Sequence, residues 1–337
     1  MRRGSILQLV GLGVLFGGAA TLVAVLIPWL PPVASKQRDR IDFVFWFTTG
    51  ISIAVFALVA AVIAYSLVKF RVRPDDDSDG PPIHGHTGVE IVWTAIPAIL
   101  VTAISVISGI VLVQNDRPDS NALNVDVVGR QFAWTFQYPG KGHITSAQLR
   151  LPLNRSTELH LTSLDVIHSF WVPEFGQKMD ALPGQDTKLV ITPTKLGTYR
   201  VICTELCGLG HAVMRTSAIV MQPAAFQAWL RKQRAAGELP PGQAGKAVFE
   251  SNGCGSCHTL AAAGASGKVG PDLDKLPDLA QKADKPLEDF IRESIVDPNA
   301  YVEPGFPKGV MPPFSTLPKD QLDALVQFLA ESSKGAT

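Results

Sequence analysis

Two long apolar stretches constrain this chain most. Residues 41–68 and 91–113 are almost wholly apolar. Each exceeds the roughly 20 residues that a helix needs to cross a bilayer core. Buried helices of a soluble domain are the competing reading, but such helices normally keep a polar face. The chain has 337 residues, which leaves room for one or two further domains. Its 30 basic and 30 acidic side chains give a formal charge of zero. Bulk charge therefore gives no attraction to nucleic acid, and no nucleic-acid-binding motif stands out.

Flanking charge orients the two spans. Lys69, Arg71 and Arg73 follow the first, which predicts a cytoplasmic connecting loop. The second span then leads outward, so everything after about residue 115 is expected on the outer face. Lys36, Arg38 and Arg40 oppose this order, diluted by Asp39 and Asp42. Near the start, Arg2 and Arg3 precede an apolar run over 7–30, and Val33 and Ser35 are spaced as around a signal-peptidase site. Residues 1–35 therefore read as either a signal peptide or an additional transmembrane helix. Residues 36–115 read as a transmembrane helical hairpin.

All four cysteines fall in two short runs. The first holds Cys203, Glu205, Cys207, His211 and Met214. Thiolate, thioether and imidazole donors together suit copper better than magnesium or calcium. The second holds Cys254, Cys257 and His258, the C-x-x-C-H spacing that attaches a c-type haem. Two disulfides are the alternative, but disulfides need no histidine or methionine beside them. Gly270, Pro271 and Met311 follow the second run in an order that resembles the loops of a class I cytochrome c. Residues 116–222 carry short β-rich pieces at 124–128, 158–162, 188–193, 198–203 and 216–221. Turn residues such as Pro139-Gly140, Pro183-Gly184 and Leu196-Gly197 separate several of them. This spacing predicts an all-β sandwich or barrel, whose end loops would hold the first run on a rigid scaffold.

Three segments then become specific: Val166 to Pro173 around His168, Lys178 to Gly184 around Asp180, and the Cys203 to Met214 run. With the preceding hairpin, they resemble cytochrome c oxidase subunit II over residues 41–222. The resemblance implies a cupredoxin-like sandwich and the binuclear copper centre CuA. Its ligands would be His168, Cys203, the Glu205 carbonyl, Cys207, His211 and Met214. A mononuclear blue-copper site uses one thiolate, whereas two bridging thiolates let two copper ions share one unpaired electron. The resemblance also gives the Glu205 carboxylate a magnesium ion at the subunit I interface; an exposed loop carboxylate is the alternative. Glu90 would mark the entrance of a proton path into subunit I. Its alternative is a solvated carboxylate favoured by the helix N-terminus. Phe132 and Trp134 fall in the family's aromatic electron-transfer patch. Many members carry Trp where this chain has Phe132, a departure that counts against an external cytochrome docking there.

Residues 223–245 read as a linker and 246–337 resemble a class I cytochrome c. In that resemblance Cys254 and Cys257 bind the haem covalently, and His258 and Met311 are the axial ligands. Met/His ligation raises the potential. The whole is a multidomain chain: a transmembrane helical hairpin, an all-β cupredoxin-like sandwich and an all-α class I cytochrome c. This is the caa3-type arrangement. It implies a bacterial plasma-membrane oxidase with subunits I and III, fed by an upstream respiratory donor. Oxygen would be reduced to water in subunit I with proton pumping. A quinol oxidase subunit would lack the copper ligands, and nitrous oxide reductase would carry a large catalytic domain. A membrane-anchored copper or redox-sensing protein without an oxidase partner remains the rival of a different class. His84, His86, His143 and His160 lack ligand context. Residues 240–337 carry 9 basic and 13 acidic side chains against 10 and 9 in 116–229. This predicts only weak electrostatic docking of the tethered haem domain on the copper domain and linker.

Overall fold

The computed structural model describes residues 3–71, 82, 84–139, 144–236, 241–315, 317 and 319–334. Arg73, Gly140 and His143 lie outside the described residues. The chain forms two compact units, one of Met1–Pro32 with Arg38–Asn115 and one of Val33–Gln37 with Asp116–Thr337.

The first unit is helical. α1 (Arg3–Leu26) covers the N-terminal apolar run, and α2 (Lys36–Lys69) and α3 (Thr87–Asn115) contain the two expected spans. All three are long and apolar enough to cross a membrane. Leu67, Val68 and Ile99 are among their many exposed apolar side chains, a surface that suits lipid and is costly in water. Arg40 donates to the Gln114 carbonyl and to Asn115 Oδ1, both at 3.1 Å, which ties the start of α2 to the end of α3. At the start of α3, His86 Nδ1 accepts from the Val89 amide at 3.3 Å and Glu90 Oε1 accepts from the His86 amide at 3.0 Å. This reciprocal arrangement satisfies two otherwise orphaned donors, as a capping box does.

The second unit begins with a strap. Ala34 and Ser35 are buried, and the Lys36 and Thr194 amides bond Thr192 and Ala34 carbonyls at 3.0 and 2.9 Å. A sandwich of ten strands follows: β1 (Leu123–Arg130), β2 (Ala133–Tyr138), β3 (Ile144–Ser146), β4 (Leu149–Pro152), β5 (Thr157–Ser163), β6 (His168–Trp171), β7 (Lys178–Ala181), β8 (Thr187–Ile191), β9 (Gly197–Cys203) and β10 (Arg215–Met221). One sheet runs β3-β2-β1-β5-β8 and the other β4-β10-β9-β6-β7. β1 and β5 alternate inward Val125, Val127, Leu159 and Leu161 with outward Asp126 and His160, the period-2 pattern of a half-buried strand. Val125, Val127, Leu159, Leu161, Phe136 and Phe170 are fully buried between the sheets.

The segment after β10 is a helix packed on the sandwich. α4 (Pro223–Ala236) sends Phe226 and Leu230 into the sandwich core, and the Trp229 ring meets Tyr138 at 4.9 Å. α5 (Pro241–Ser251) then starts a helical module, several residues before the expected boundary at 246. Pro241 fits this start because its fixed φ suits the first helical turn. α6 (Leu276–Lys282), α7 (Leu287–Val296) and α8 (Lys319–Lys334) complete it. Phe249, Phe290, Ile291 and Leu329 form its core.

Candidate copper and haem sites

Strand pairing assembles the first site. β6 pairs β9 with Phe170 opposite Cys203 and Trp171 opposite Ile202. His168, two residues before Phe170, therefore reaches the end of β9 where Cys203 stands. β9 also pairs β10, so residues 204–214 form a connecting loop, closed where the Cys203 amide bonds the Met214 carbonyl at 3.2 Å. The ligand-type atoms then converge. Cys203 Sγ is 3.9 Å from His168 Nδ1, 3.2 Å from the Glu205 carbonyl and 4.0 Å from Cys207 Sγ. Cys207 Sγ is 3.6 Å from His211 Nδ1 and 3.7 Å from Met214 Sδ. All four cysteines are free. Among the described residues, His168, Cys203 and Cys207 are the group of histidine, cysteine and acidic side chains close enough to hold a metal ion.

Neighbours fix the histidine. His168 Nε2 lies 2.8 Å from Asp165 Oδ1. The carboxylate accepts, so Nε2 donates and Nδ1 is left to face the thiols, the orienting arrangement common behind metal-bound imidazoles. Asp165 also accepts from the Gln131 and Val166 amides, both at 2.7 Å. Burial alone would lower the pKa of His168, but hydrogen bonds to Asp165 and Cys203 outweigh it and raise it to about 9. Burial pushes the Cys207 thiol up to about 12, reinforced by the Cys203 charge. Burial also opposes ionisation of Cys203, yet the His168 hydrogen bond brings it down to about 7. Without metal, then, one thiol is poised to ionise and the other is not.

Aromatic rings back the loop. Phe132 packs on the backbone of Gly210, where an added Cβ would stand 2.6 and 2.8 Å from ring carbons. Gly208 has φ +132, which a side chain rarely adopts, and Gln131 Nε2 donates to the neighbouring Cys207 carbonyl at 2.5 Å. Trp134 is buried and meets the His168 ring edge-on at 5.9 Å. Glu205 keeps an exposed side chain, and Glu90 belongs to the α3 cap. Sequence reasoning overlooked Asp165 and Gln131. The three-residue spacing from Asp165 to His168 was the one available signal. Asp165→Asn leaves the shape but not the charge, and it should weaken copper retention by about 10- to 100-fold. Competition with a copper chelator would measure it; unchanged retention would discard the orienting role.

The second site is an apolar cavity of about 1440 Å³ including its mouth, lined by Cys254, Cys257, His258 and, farther along the chain, Met311. His258 Nδ1 lies 2.8 Å from the Pro271 carbonyl. A carbonyl only accepts, so Nδ1 carries the proton and Nε2 keeps its lone pair. Burial lowers the pKa of His258, which favours the neutral ring that a metal needs. Gly270 lies against this ring. The donors, the apolar walls and the two thiols suit a covalently bound haem.

Comparison with known proteins matches three family models in order along the chain. Residues 24–110 match the family "Cytochrome C oxidase subunit II, transmembrane domain", 143–222 match its periplasmic domain, and 242–333 match "Cytochrome c". Cytochrome c oxidase subunit 2 of Alkalihalophilus pseudofirmus is 31% identical over 294 residues, covering 83% of this chain and 82% of the relative. The Thermostichus vulcanus protein of the same name is 33% identical, covering 63% and 80%. The crystal structure of the periplasmic domain of subunit II of cytochrome oxidase from Bradyrhizobium japonicum aligns at 27% identity and TM-score 0.33, over 36% of this chain and 97% of that one.

Proposed function

The chain belongs to the cytochrome c oxidase subunit II family, and we propose that it relays electrons from its own c-type haem to a binuclear CuA and on to subunit I. One observation carries this reading: two imidazole Nδ1 atoms, two thiols, a thioether and a carbonyl meet around one loop. His168, Cys203, the Glu205 carbonyl, Cys207, His211 and Met214 would hold the copper. The copper pair supplies a delocalised one-electron centre that changes geometry little. The chain's part is to hold donors rigid: strands β6, β9 and β10 anchor both ends of the loop, and Asp165 fixes His168. Cys254 and Cys257 would tether the haem, with His258 and Met311 as axial donors.

The apolar helices, long enough to cross a membrane, support membrane anchoring. In the proposed topology both redox modules face outward from a bacterial plasma membrane. Oxygen reduction to water and proton pumping fall to subunit I, alongside subunit III, with electrons supplied by an upstream respiratory donor. Glu90 would stand at a proton-path entrance. The Glu205 carboxylate would help hold a magnesium ion at the subunit I interface. Purification from membranes tests the reading. Expected are co-purifying subunit I, c-haem bands and a mixed-valence two-copper EPR signal. Isolation of the loaded chain without a haem-copper subunit I would instead support a free-standing redox protein.

A further inference from the structure

Resting on the copper and haem assignments above, we propose that Arg130 is a positioning residue that latches the haem module onto the sandwich. The latch turns the Cys254 side of the haem cavity toward the copper-ligand loop. Arg130 ends β1 and is only 8% exposed. Among the described residues its Nε has no hydrogen-bond partner. Burying a cation is costly, and the Asp165 carboxylate within electrostatic reach offsets part of that cost. Its guanidinium lies 3.8 Å from the ring centroid of Phe314, in the C-terminal module. The negative face of an aromatic ring attracts a cation most when water is excluded. Cys254, the first haem-attaching cysteine, lies within electrostatic reach of the same guanidinium.

Three further contacts give the latch a direction. Phe132, Ala133 and Val213 of the sandwich line the haem cavity itself. Phe132 also rests on Gly208 and Gly210 of the ligand loop, so one ring touches both the cavity and the loop. Val310, beside Met311, packs against the sandwich core. The docking element is thus the segment 310–314 that carries the distal haem ligand. The small charge difference between modules can steer their approach but cannot select an orientation. A buried guanidinium over one ring can, because its geometry is fixed.

Hydrogen exchange and flash reduction of the intact oxidase test the proposal. A desolvated cation–π contact corresponds to about a 30-fold bias toward the docked state. Arg130→Ala should therefore raise exchange of 130–134 and 310–314 by about 10- to 30-fold, with β5 and β8 unchanged. A photoreductant that delivers one electron to the haem iron would then show it passing to copper in a slower, gated phase. The haem is reoxidised as the copper pair gains that electron. Arg130→Lys should restore part of the protection and Arg130→Met none. Phe314→Leu should reproduce the effect, and combining it with Arg130→Ala should add less than about twofold, since coupled residues are not additive. Native protection and transfer in both Arg130→Ala and Phe314→Leu, with copper and haem spectra intact, would overturn the latch alone. Missing copper or haem signals in the native chain would instead overturn the relay on which it rests.

Discussion

Cys207→Ser is expected to remove the two-copper centre altogether. Cys207 Sγ stands between three other donors: Cys203 Sγ at 4.0 Å, His211 Nδ1 at 3.6 Å and Met214 Sδ at 3.7 Å. Among the described residues, Cys207 is the donor that touches both the Cys203 side and the His211–Met214 side of the loop. A serine hydroxyl is a hard donor that stays protonated near neutral pH, and it matches copper poorly. The site would keep at most one metal beside Cys203 and His168. Loss should exceed the roughly 100-fold ceiling typical of changes behind a ligand, so EPR of the purified oxidase should show no mixed-valence pattern. The c-haem bands should persist, because Cys254 packs against a separate core. Oxygen uptake should collapse while haem reduction by the donor continues. A Cys207→Ser oxidase that still shows the mixed-valence signal would mean that the metal lies elsewhere.

Legibility followed sequence distance. Five ligand-type residues of the copper site lie on one loop, so their spacing could be read directly. His168 required a familiar motif, because the pairing of Phe170 with Cys203 that brings it in leaves no local trace. Asp165 and Gln131 escaped notice because a lone carboxylate and a lone amide in a loop are ordinary residues until folding aims them. Strands with regular alternation, such as β1 and β5, were legible from their inward valines and leucines. β2 alternates too, with Trp134, Phe136 and Tyr138 on its buried face, whereas β6 buries His168, Ser169 and Phe170 in a row and shows no alternation. The helical character of α4 was legible, but Pro240, Pro241 and Gly242 after it made 223–245 read as a linker, and the packing of Phe226 and Leu230 into the sandwich core left no local trace. The junction between the modules was illegible for a related reason. Arg130 ends β1 among buried residues, and nothing nearby in sequence reveals that its partner is Phe314, far along the chain.

Gly270→Ala should cost the haem its proximal ligand. A Cβ at Gly270 would stand 2.8 Å from His258 Nδ1 and 2.9 Å from Nε2, distances that real side chains do not tolerate. One of the two must move, and both are held. His258 is buried, follows the haem-attaching Cys257 and bonds the Pro271 carbonyl. The glycine side is pinned by the Val269 and Gly270 amides, which bond the Cys257 carbonyl at 2.9 and 2.8 Å. Overpacking at such a site costs about 3 kcal/mol or more, a large part of the roughly 5–15 kcal/mol that keeps a domain folded. Relief by rotating the imidazole swings Nε2 away from the cavity and abolishes axial ligation. Relief by shifting the loop breaks the Pro271 bond that fixes the tautomer. Either route disturbs the place of His258 as an axial donor, so the c-haem spectrum and potential should shift from native, while haem staining, which reports attachment through Cys254 and Cys257, and the copper EPR signal survive. Pro271→Ala is the matched control. It keeps the accepting carbonyl and adds nothing against the ring, so the native spectrum should largely remain. If Gly270→Ala retains the native haem spectrum and potential, His258 is not held by this cradle, and its place as the proximal ligand must be given up.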